Sequence, residues 1–133
     1  MEPDELTPEA RAVLRANQAF YDAFESRSIE AMDDVWEHSD DALCTHPGWQ
    51  TLVGWHSIRR SWGALLDNSE HLQFVLTDES VSVRGEMAYV RLSENLLAAG
   101  ALQGSVTSLN LFARQADGSW RMVAHHGSPV MRS

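Results

Sequence analysis

The chain has 133 residues, of which 44% are hydrophobic, and its 19 acids against 10 arginines, with no lysine, give a net charge of −9. This length suits one domain with one sizeable core, so we predict a single domain over residues 1–133. An acidic chain without a basic cluster is a poor match for nucleic-acid phosphates or anionic lipids, so we expect neither a nucleic acid nor a membrane as partner.

The negative charge is concentrated at the start of the chain. Residues 1–41 contain twelve acids and three arginines, whereas residues 42–133 contain seven of each. The first ten residues lack the apolar segment of a signal peptide, and no apolar run approaches the roughly 20 residues that span a membrane. A single cysteine, Cys44, excludes a disulfide within the chain. These features favour a cytoplasmic protein.

Three helices are predicted in the first half of the chain. Thr7 and Pro8 fit the N-cap and the first position of a helix, and apolar residues recur at helical spacing over 13–24. Ser28 fits the N-cap of a short second helix, and Gly54 precedes a third one.

Strands dominate the remainder. Besides a short strand that ends at Pro47-Gly48, apolar and polar residues alternate with a period of two. The predicted strands cover residues 42–46, 72–76, 86–97, 105–114 and 120–128. Asp117-Gly118 is typical of a hairpin turn between the last two. This order predicts an α+β fold, with a curved, mostly antiparallel sheet that carries the helices on one face.

The turn also predicts which face of the last hairpin is buried. If Asp117-Gly118 is a two-residue turn, Leu109 lies opposite His126, and the other pairs on that face are apolar. Because an apolar face should meet the helices, we predict that His126 points into the interior and His125 to the outer face.

Glu94 interrupts a strand face that is otherwise apolar. The residues that share its parity are Ala88, Val90, Leu92 and Leu96. A buried carboxylate needs a hydrogen bond, an ion pair or a proton, and a buried carboxyl group with a raised pKa is a candidate general acid or base. Two alternatives stay open, namely that the strand twists and exposes Glu94, or that Glu94 makes a structural bond.

His46 lies at the end of the first strand, beside a loop. This position suits a proton carrier, although a structural histidine is the alternative. His46, His126 and Glu94 would form a two-histidine, one-carboxylate metal set, but their spacing is not characteristic, so we predict neither a metal nor a cofactor. We interpret Cys44, which shares parity with His46, as a core residue rather than a nucleophile.

Aromatic side chains offer walls for an apolar ligand. Trp49 lies in the loop after the first strand, and Trp62 is predicted on the inner face of the third helix. With Phe20 and Tyr21 they are candidate substrate-binding residues. Core packing is the alternative for Trp62, and both interpretations stay open for Trp49.

Several motifs resemble the SnoaL-like branch of the NTF2-like superfamily. They are CTHPGW at 44–49, LVG at 52–54, Ile58, SW at 61–62, DGSWRMV at 117–123 and HHGSP at 125–129. The resemblance covers nearly the whole chain. It implies a cone in which a bent antiparallel sheet wraps around three helices and leaves a pocket at the wide end, and a homodimer formed through the outer sheet face.

Relatives in this superfamily include ketosteroid isomerases, polyketide cyclases, scytalone dehydratase and limonene epoxide hydrolase, which share the pocket rather than the catalytic residues. The resemblance implies that Tyr21 matches the helix tyrosine of the isomerases and that Glu94 lies near their deep acid. His46 stands where they need an aspartate, which argues against steroid isomerisation. The epoxide hydrolases need an arginine in the pocket, whereas Arg91 and Arg114 are predicted to face outward.

We therefore expect a pocket that binds a small, largely apolar molecule and performs proton transfer, as in an isomerase, dehydratase or cyclase. Glu94 would be the acid or base, and His46 and His126 would move the proton. The alternative is a non-catalytic ligand-binding or dimerisation module. An open cavity of roughly a few hundred Å³ with convergent polar groups favours the first hypothesis, and a filled cavity in which Glu94 is locked to a tryptophan or the backbone favours the second.

Overall fold

A computed structural model of the chain describes residues 6–68 and 72–131, so residues 1–5, 69–71 and 132–133 of the predicted domain lie outside the described part. The helices are α1 (Pro8–Ser26), α2 (Ile29–Val35) and α3 (Trp55–Asn68). The strands are β1 (Leu43–Thr45), β2 (Leu52–Val53), β3 (Leu72–Arg84), β4 (Met87–Ala98), β5 (Ala101–Arg114) and β6 (Trp120–Pro129). None of the helices in the described residues has the length and hydropathy needed to cross a membrane.

The first two helices begin at the residues that the sequence predicted. Oγ1 of Thr7 accepts a hydrogen bond from the backbone N–H of Ala10 at 3.1 Å, and Pro8 occupies the first turn of α1. Oγ of Ser28 accepts one from the N–H of Ala31 at 3.0 Å. Each cap satisfies an N–H group that a helix leaves unpaired at its start.

The strands form one six-stranded sheet in the order β2-β1-β6-β5-β4-β3. Every neighbouring pair is antiparallel except β1 and β6, so the prediction of a curved, mostly antiparallel α+β fold is confirmed. The core lies between one face of this sheet and the helices. Its largest fully buried side chains include Phe20, Tyr21, Trp36, Trp62 and Phe112.

A β-bulge in β6 changes the faces predicted for the last hairpin. Leu111 pairs with Ala124 as the two-residue turn predicts, but Phe112 pairs with Met122, so Val123 is an extra residue in β6. Because side chains alternate only in a regular strand, this extra residue reverses the parity of the positions that follow Met122. His125 is therefore buried.

The prediction that His126 points inward is consequently wrong. His126 pairs with Leu109 as predicted, but both side chains are exposed on the outer face of the sheet. The turn also differs from the prediction, since Arg114 pairs with Trp120 and the loop between them has five residues instead of two. The bulge then restores the predicted register from Leu111 onward.

Candidate functional site

Helices α1 and α3, the sheet and the loop after β1 enclose a cavity of about 70 Å³. Its apolar lining consists of Phe20, Phe24, Pro47, Trp62, Phe74, Leu96 and Val106. Its polar lining consists of Tyr21, His46, Glu94 and His125. Three titratable groups from different strands and the loop after β1 thus meet at one mainly aromatic space, which is smaller than the volume of roughly a few hundred Å³ expected of an open ligand pocket.

Glu94 is buried at the inner face of β4, so the interpretation that a twist exposes it is wrong. Its Oε2 accepts hydrogen bonds from the hydroxyl of Tyr21 at 2.5 Å and from Oγ of Ser108 at 2.7 Å. Among the described residues, Oε1 has no hydrogen-bond partner. Burial raises the pKa of Glu94, although both hydrogen bonds act to lower it.

Tyr21, on α1, is fully buried beside this carboxyl group. Burial and the neighbouring Glu94 carboxyl raise the pKa of its phenol far above the ordinary value, so the hydroxyl stays protonated. Its oxygen also accepts a hydrogen bond from Nδ2 of Asn110 at 3.1 Å. Tyr21 therefore donates to Glu94 and cannot act as a base.

His125 is 5% exposed and lies on the inner face of β6. Its Nδ1 is 2.5 Å from Oδ1 of Asn110. An amide oxygen can only accept, so Nδ1 carries the proton and Nε2 has a lone pair. Burial, helped by the nearby His46 and His126, lowers the pKa of His125 to about 3. The ring is neutral near pH 7.

His46 is 4% exposed and has the opposite tautomer. Its Nε2 is 2.9 Å from Oγ of Ser61, and this hydroxyl donates its single proton to the carbonyl of Ile58 at 2.7 Å. Ser61 must then accept from Nε2–H, which leaves the lone pair on Nδ1. Burial lowers the pKa of His46 to about 4. The cavity is thus bordered by two neutral imidazoles.

The structure brings most of the predicted site residues together. Glu94, His46, Tyr21, Phe20 and Trp62 all line the cavity.

Two predicted residues do not line it. Trp49 is 45% exposed and packs edge-on against His46, with ring centroids 4.8 Å apart. His126 lies on the opposite face of the sheet with Arg91, Thr107 and Leu109. Cys44 is buried near His46, and burial raises the pKa of its thiol, so it is not a thiolate nucleophile.

Three site residues were not predicted from the sequence, namely Ser108, Asn110 and His125. Ser108 and Asn110 alternate with Val106 and Phe112 on one face of β5 and all four are buried. Polar residues that share the parity of buried apolar residues along a strand are the same signal that identified Glu94. It was missed because the assumed turn assigned that face to solvent.

Within the described part of the chain, no three histidines, cysteines or acids form a group that could hold a metal ion. The set of His46, His126 and Glu94 is not assembled, because the sheet separates His126 from the other two. The titratable groups that His46, His125 and Glu94 present at the cavity are two imidazoles with a lone pair and one carboxyl group. One neutral imidazole can take a proton while the carboxylic acid gives one.

The SnoaL-like domain family matches residues 13–132. The chain belongs to this family. Among solved structures, an NTF2-like protein from Streptomyces avermitilis with a proposed dehydratase activity is 37% identical, with a TM-score of 0.86 and coverage of 98% of this chain and 100% of that one. A proposed calcium/calmodulin-dependent protein kinase type II association domain from Thiobacillus denitrificans is 30% identical, with a TM-score of 0.82 and coverage of 98% and 100%.

The F-box protein SKIP8 of Arabidopsis thaliana is 25% identical over 140 residues, which cover 98% of this chain. The chain spans 59% of the length of that relative. The predicted resemblance to SnoaL-like and NTF2-like proteins is thus confirmed. Similar structures include both a protein with a proposed dehydratase activity and a proposed association domain, so the fold alone does not assign a function.

Proposed function

We propose that this protein is a cofactor-free enzyme of the dehydratase or isomerase type, which transfers protons on a small, uncharged and largely apolar molecule. The observation that carries the proposal is the meeting of His46, Glu94 and His125 at one cavity. The 37% identity to the Streptomyces avermitilis protein supports dehydration in particular.

The two imidazoles and the carboxyl group have complementary protonation states. Lowered pKa values keep His46 and His125 unprotonated near pH 7, so each offers a lone pair to a proton on carbon or oxygen. The raised pKa of Glu94 favours its protonated form, which can donate. A base and an acid at one site are what the elimination of water requires.

In the proposed elimination, an imidazole removes the proton α to a carbonyl group and the electron pair of that C–H bond forms the double bond. The C–O bond of the β-hydroxyl breaks, and Glu94 protonates the departing oxygen to give water. The enzyme is left with an imidazolium and a carboxylate, and transfer of one proton between them restores the resting state.

The lining of the cavity limits the substrate. The chain has no lysine, and no arginine is among the described residues that line the cavity, so an anionic group would lack a partner there. The volume of about 70 Å³ admits only a few heavy atoms, so the reacting end of the substrate enters while any larger part remains near the exposed Pro47. Uncharged β-hydroxyketones fit these limits.

Turnover of 4-hydroxybutan-2-one and its aryl homologues tests the proposal. Enone formation is followed by ultraviolet absorbance, and exchange of the α-hydrogen in D2O by NMR. We expect activity in the wild type and a loss of about 100-fold or more in Glu94→Gln and His125→Gln. Equal rates in the wild type and Glu94→Gln would overturn the assignment.

The matched control is His126→Gln, which alters a histidine next to His125 but on the outer face of the sheet. It should leave the rates nearly unchanged. A series in which no compound is turned over, exchanged or able to raise the melting temperature would contradict catalysis of this class and favour the second candidate.

The second candidate is an assembly module that forms a homodimer through the outer sheet face. It is supported by the 30% identity to the proposed association domain from Thiobacillus denitrificans. It is also supported by the apolar side chains of Met87, Tyr89 and Leu109, which are exposed on strands β4 and β5. A row of exposed apolar residues on a sheet is typical of an interface.

Light scattering tests this candidate. The wild type should have the mass of a dimer, and Leu109→Arg should reduce it to that of a monomer, because it places charges in the centre of the interface. Val130→Arg, at an exposed apolar residue beyond the end of β6, is the control and should remain a dimer. A monomeric wild type would contradict the assembly.

A further inference from the structure

A chain of hydrogen bonds runs from Glu79 in β3 to His125 at the cavity. Oε2 of Glu79 accepts from Nδ2 of Asn17 at 3.3 Å, and Oδ1 of Asn17 accepts from Nδ2 of Asn110 at 2.8 Å. Oδ1 of Asn110 then meets Nδ1 of His125 at 2.5 Å. Glu79 is exposed, whereas both asparagines are fully buried. A surface carboxylate is thus linked to a buried imidazole.

The direction of every bond in this chain follows from its first member. An ionised carboxylate can only accept, so Asn17 must turn its NH2 group toward Glu79 and its oxygen toward Asn110. Asn110 must then present its NH2 group to Asn17 and its oxygen to His125. The imidazole has to donate to that oxygen through Nδ1–H.

We propose that Glu79 and Asn17 are positioning residues that act through Asn110 to hold His125 in the tautomer with its proton on Nδ1 and its lone pair on Nε2. The inference rests on the proposed function, since it names the nitrogen that serves as the base. Neither Glu79 nor Asn17 is among the residues that line the cavity.

The same chain orients the acid. The second amide hydrogen of Asn110 goes to the hydroxyl oxygen of Tyr21 at 3.1 Å, so the phenolic proton points to Oε2 of Glu94. With Oε2 occupied as an acceptor from Tyr21 and Ser108, a proton on Glu94 lies on Oε1. One surface carboxylate thereby sets the direction of the hydrogen bonds at both His125 and Glu94.

An irregularity in β3 accompanies the contact of Glu79 with α1. Thr77 pairs with Ser93 and Ser80 with Arg91, so Asp78 and Glu79 stand opposite a single residue of β4. Asp78 has φ = 59°, in the left-handed region that residues with a side chain seldom adopt. Bulges commonly redirect a side chain near a functional site, and here the redirected residue is Glu79, the first member of the chain of hydrogen bonds.

The tautomer of His125 can be measured without a substrate. Long-range ¹H–¹⁵N spectra of the full, ¹⁵N-labelled chain at pH 7 distinguish a protonated from an unprotonated ring nitrogen, and His125→Gln assigns the signal. We expect the Nδ1–H form to predominate at His125 in the wild type. A predominant Nε2–H form would overturn the proposal.

Glu79→Gln tests the direction of the chain, because an amide can either accept or donate at the same place. We expect the ratio of Nδ1–H to Nε2–H at His125 to fall by about threefold to tenfold, the equivalent of one hydrogen bond, and Glu79→Ala to act alike. Glu86→Ala, at an exposed carboxylate between β3 and β4, is the control and should leave the ratio unchanged. An unchanged ratio in both Glu79 variants would overturn the role of Glu79.

Asn17→Leu breaks the chain from its buried side and should shift the ratio in the same direction. If this variant does not fold, the exposed Glu79 variants decide alone. If the Glu79 variants shift the tautomer of His125 but the wild type shows no catalysis, the positioning role is supported and the proposed function is contradicted. If the wild type is catalytically active but the variants leave the tautomer unchanged, the proposed function is supported and the positioning role is contradicted. The two proposals therefore fail separately.

Discussion

His125 and His126 are neighbours in the chain, yet they lie on opposite faces of β6 in very different surroundings. His125 is buried, is hydrogen-bonded to Asn110 and lines the cavity. His126 is exposed on the outer face beside Arg91 and Leu109. The two side chains have the same chemistry, so the difference in their surroundings comes from the face of the strand alone.

The inner face of the sheet differs from the outer face in how its polar groups are satisfied. Glu94, Ser108, Asn110 and His125 form a buried polar group in which each member is hydrogen-bonded to protein. Polar side chains on the exposed outer face can form a hydrogen bond with water when a protein partner is removed. Removal of a partner should therefore cost much more inside than outside, because a buried group left unpaired keeps its full desolvation penalty.

The largest expected effect concerns Asn110, which has three partners. Asn110→Leu strips hydrogen bonds from Asn17, Tyr21 and His125 and should lower the free energy of unfolding by about 2–4 kcal/mol. Leu109→Ala, at the next residue but on the outer face, should cost less than about 1 kcal/mol. Urea denaturation measures both, and similar losses would show that the inner polar group carries no special energetic weight.

A pH dependence of stability should follow from the two buried imidazoles. The folded-state pKa values of His46 and His125 are about 4 and about 3, against an ordinary value of 6.5, so between pH 6.5 and pH 4 the unfolded chain binds more protons. Falling pH therefore favours unfolding, by about 1–2 kcal/mol per histidine at pH 5. Glu94 opposes this, because its raised pKa lets the folded state take up a proton first.

Urea denaturation at pH 7 and pH 5 checks this dependence. His125→Gln should lose less stability between the two pH values than the wild type does, whereas the exposed His126→Gln should match the wild type. An equal loss in His125→Gln and the wild type would contradict a neutral His125 in the folded protein.

The two tyrosines repeat the comparison with a smaller effect. Tyr21→Phe removes the donor to Glu94 and the acceptor for Asn110, and should lower the free energy of unfolding by about 1–2 kcal/mol. Tyr89→Phe, on the outer face, should change it by less than about 0.5 kcal/mol. Thermal and urea denaturation of both variants measure the two changes in the free energy of unfolding. A Tyr21→Phe variant as stable as the wild type would contradict the expected difference between the two faces.

A titration of the phenols sharpens the same contrast without a change in stability. Burial raises the pKa of Tyr21, whereas hydrogen bonds with Ser82 and Arg84 lower the pKa of the exposed Tyr89. Ultraviolet absorbance should show one tyrosine ionising in the folded protein and the other only on unfolding. Tyr89→Phe should abolish the ionisation that occurs in the folded protein. If that ionisation persists in Tyr89→Phe, Tyr21 is the tyrosine that ionises in the folded protein and the assignment is wrong.

Much of the fold was predictable because its signals are local. The caps at Thr7 and Ser28 depend on side chains within three residues of the helix start, and both were predicted correctly. The buried position of Glu94 follows from the regular alternation of β4 from Met87 to Glu94, because the extra residues of the nearby bulges lie in the neighbouring strands β3 and β5. The same reasoning failed on β6, where one extra residue, Val123, reversed the alternation.

The sequence by itself determined the three helices and five of the six described strands, the α+β class, the SnoaL-like family and the apolar strand face that carries Glu94. Each depends on spacing within one element or on a motif. Only the tertiary structure decided that His125 replaces His126, that Asn110 joins Tyr21 to His125, and that Glu79 sets the direction of these bonds. The reason is that the loop length, the bulges and the hydrogen-bond partners are settled by pairings between residues up to 93 positions apart, which no local pattern encodes.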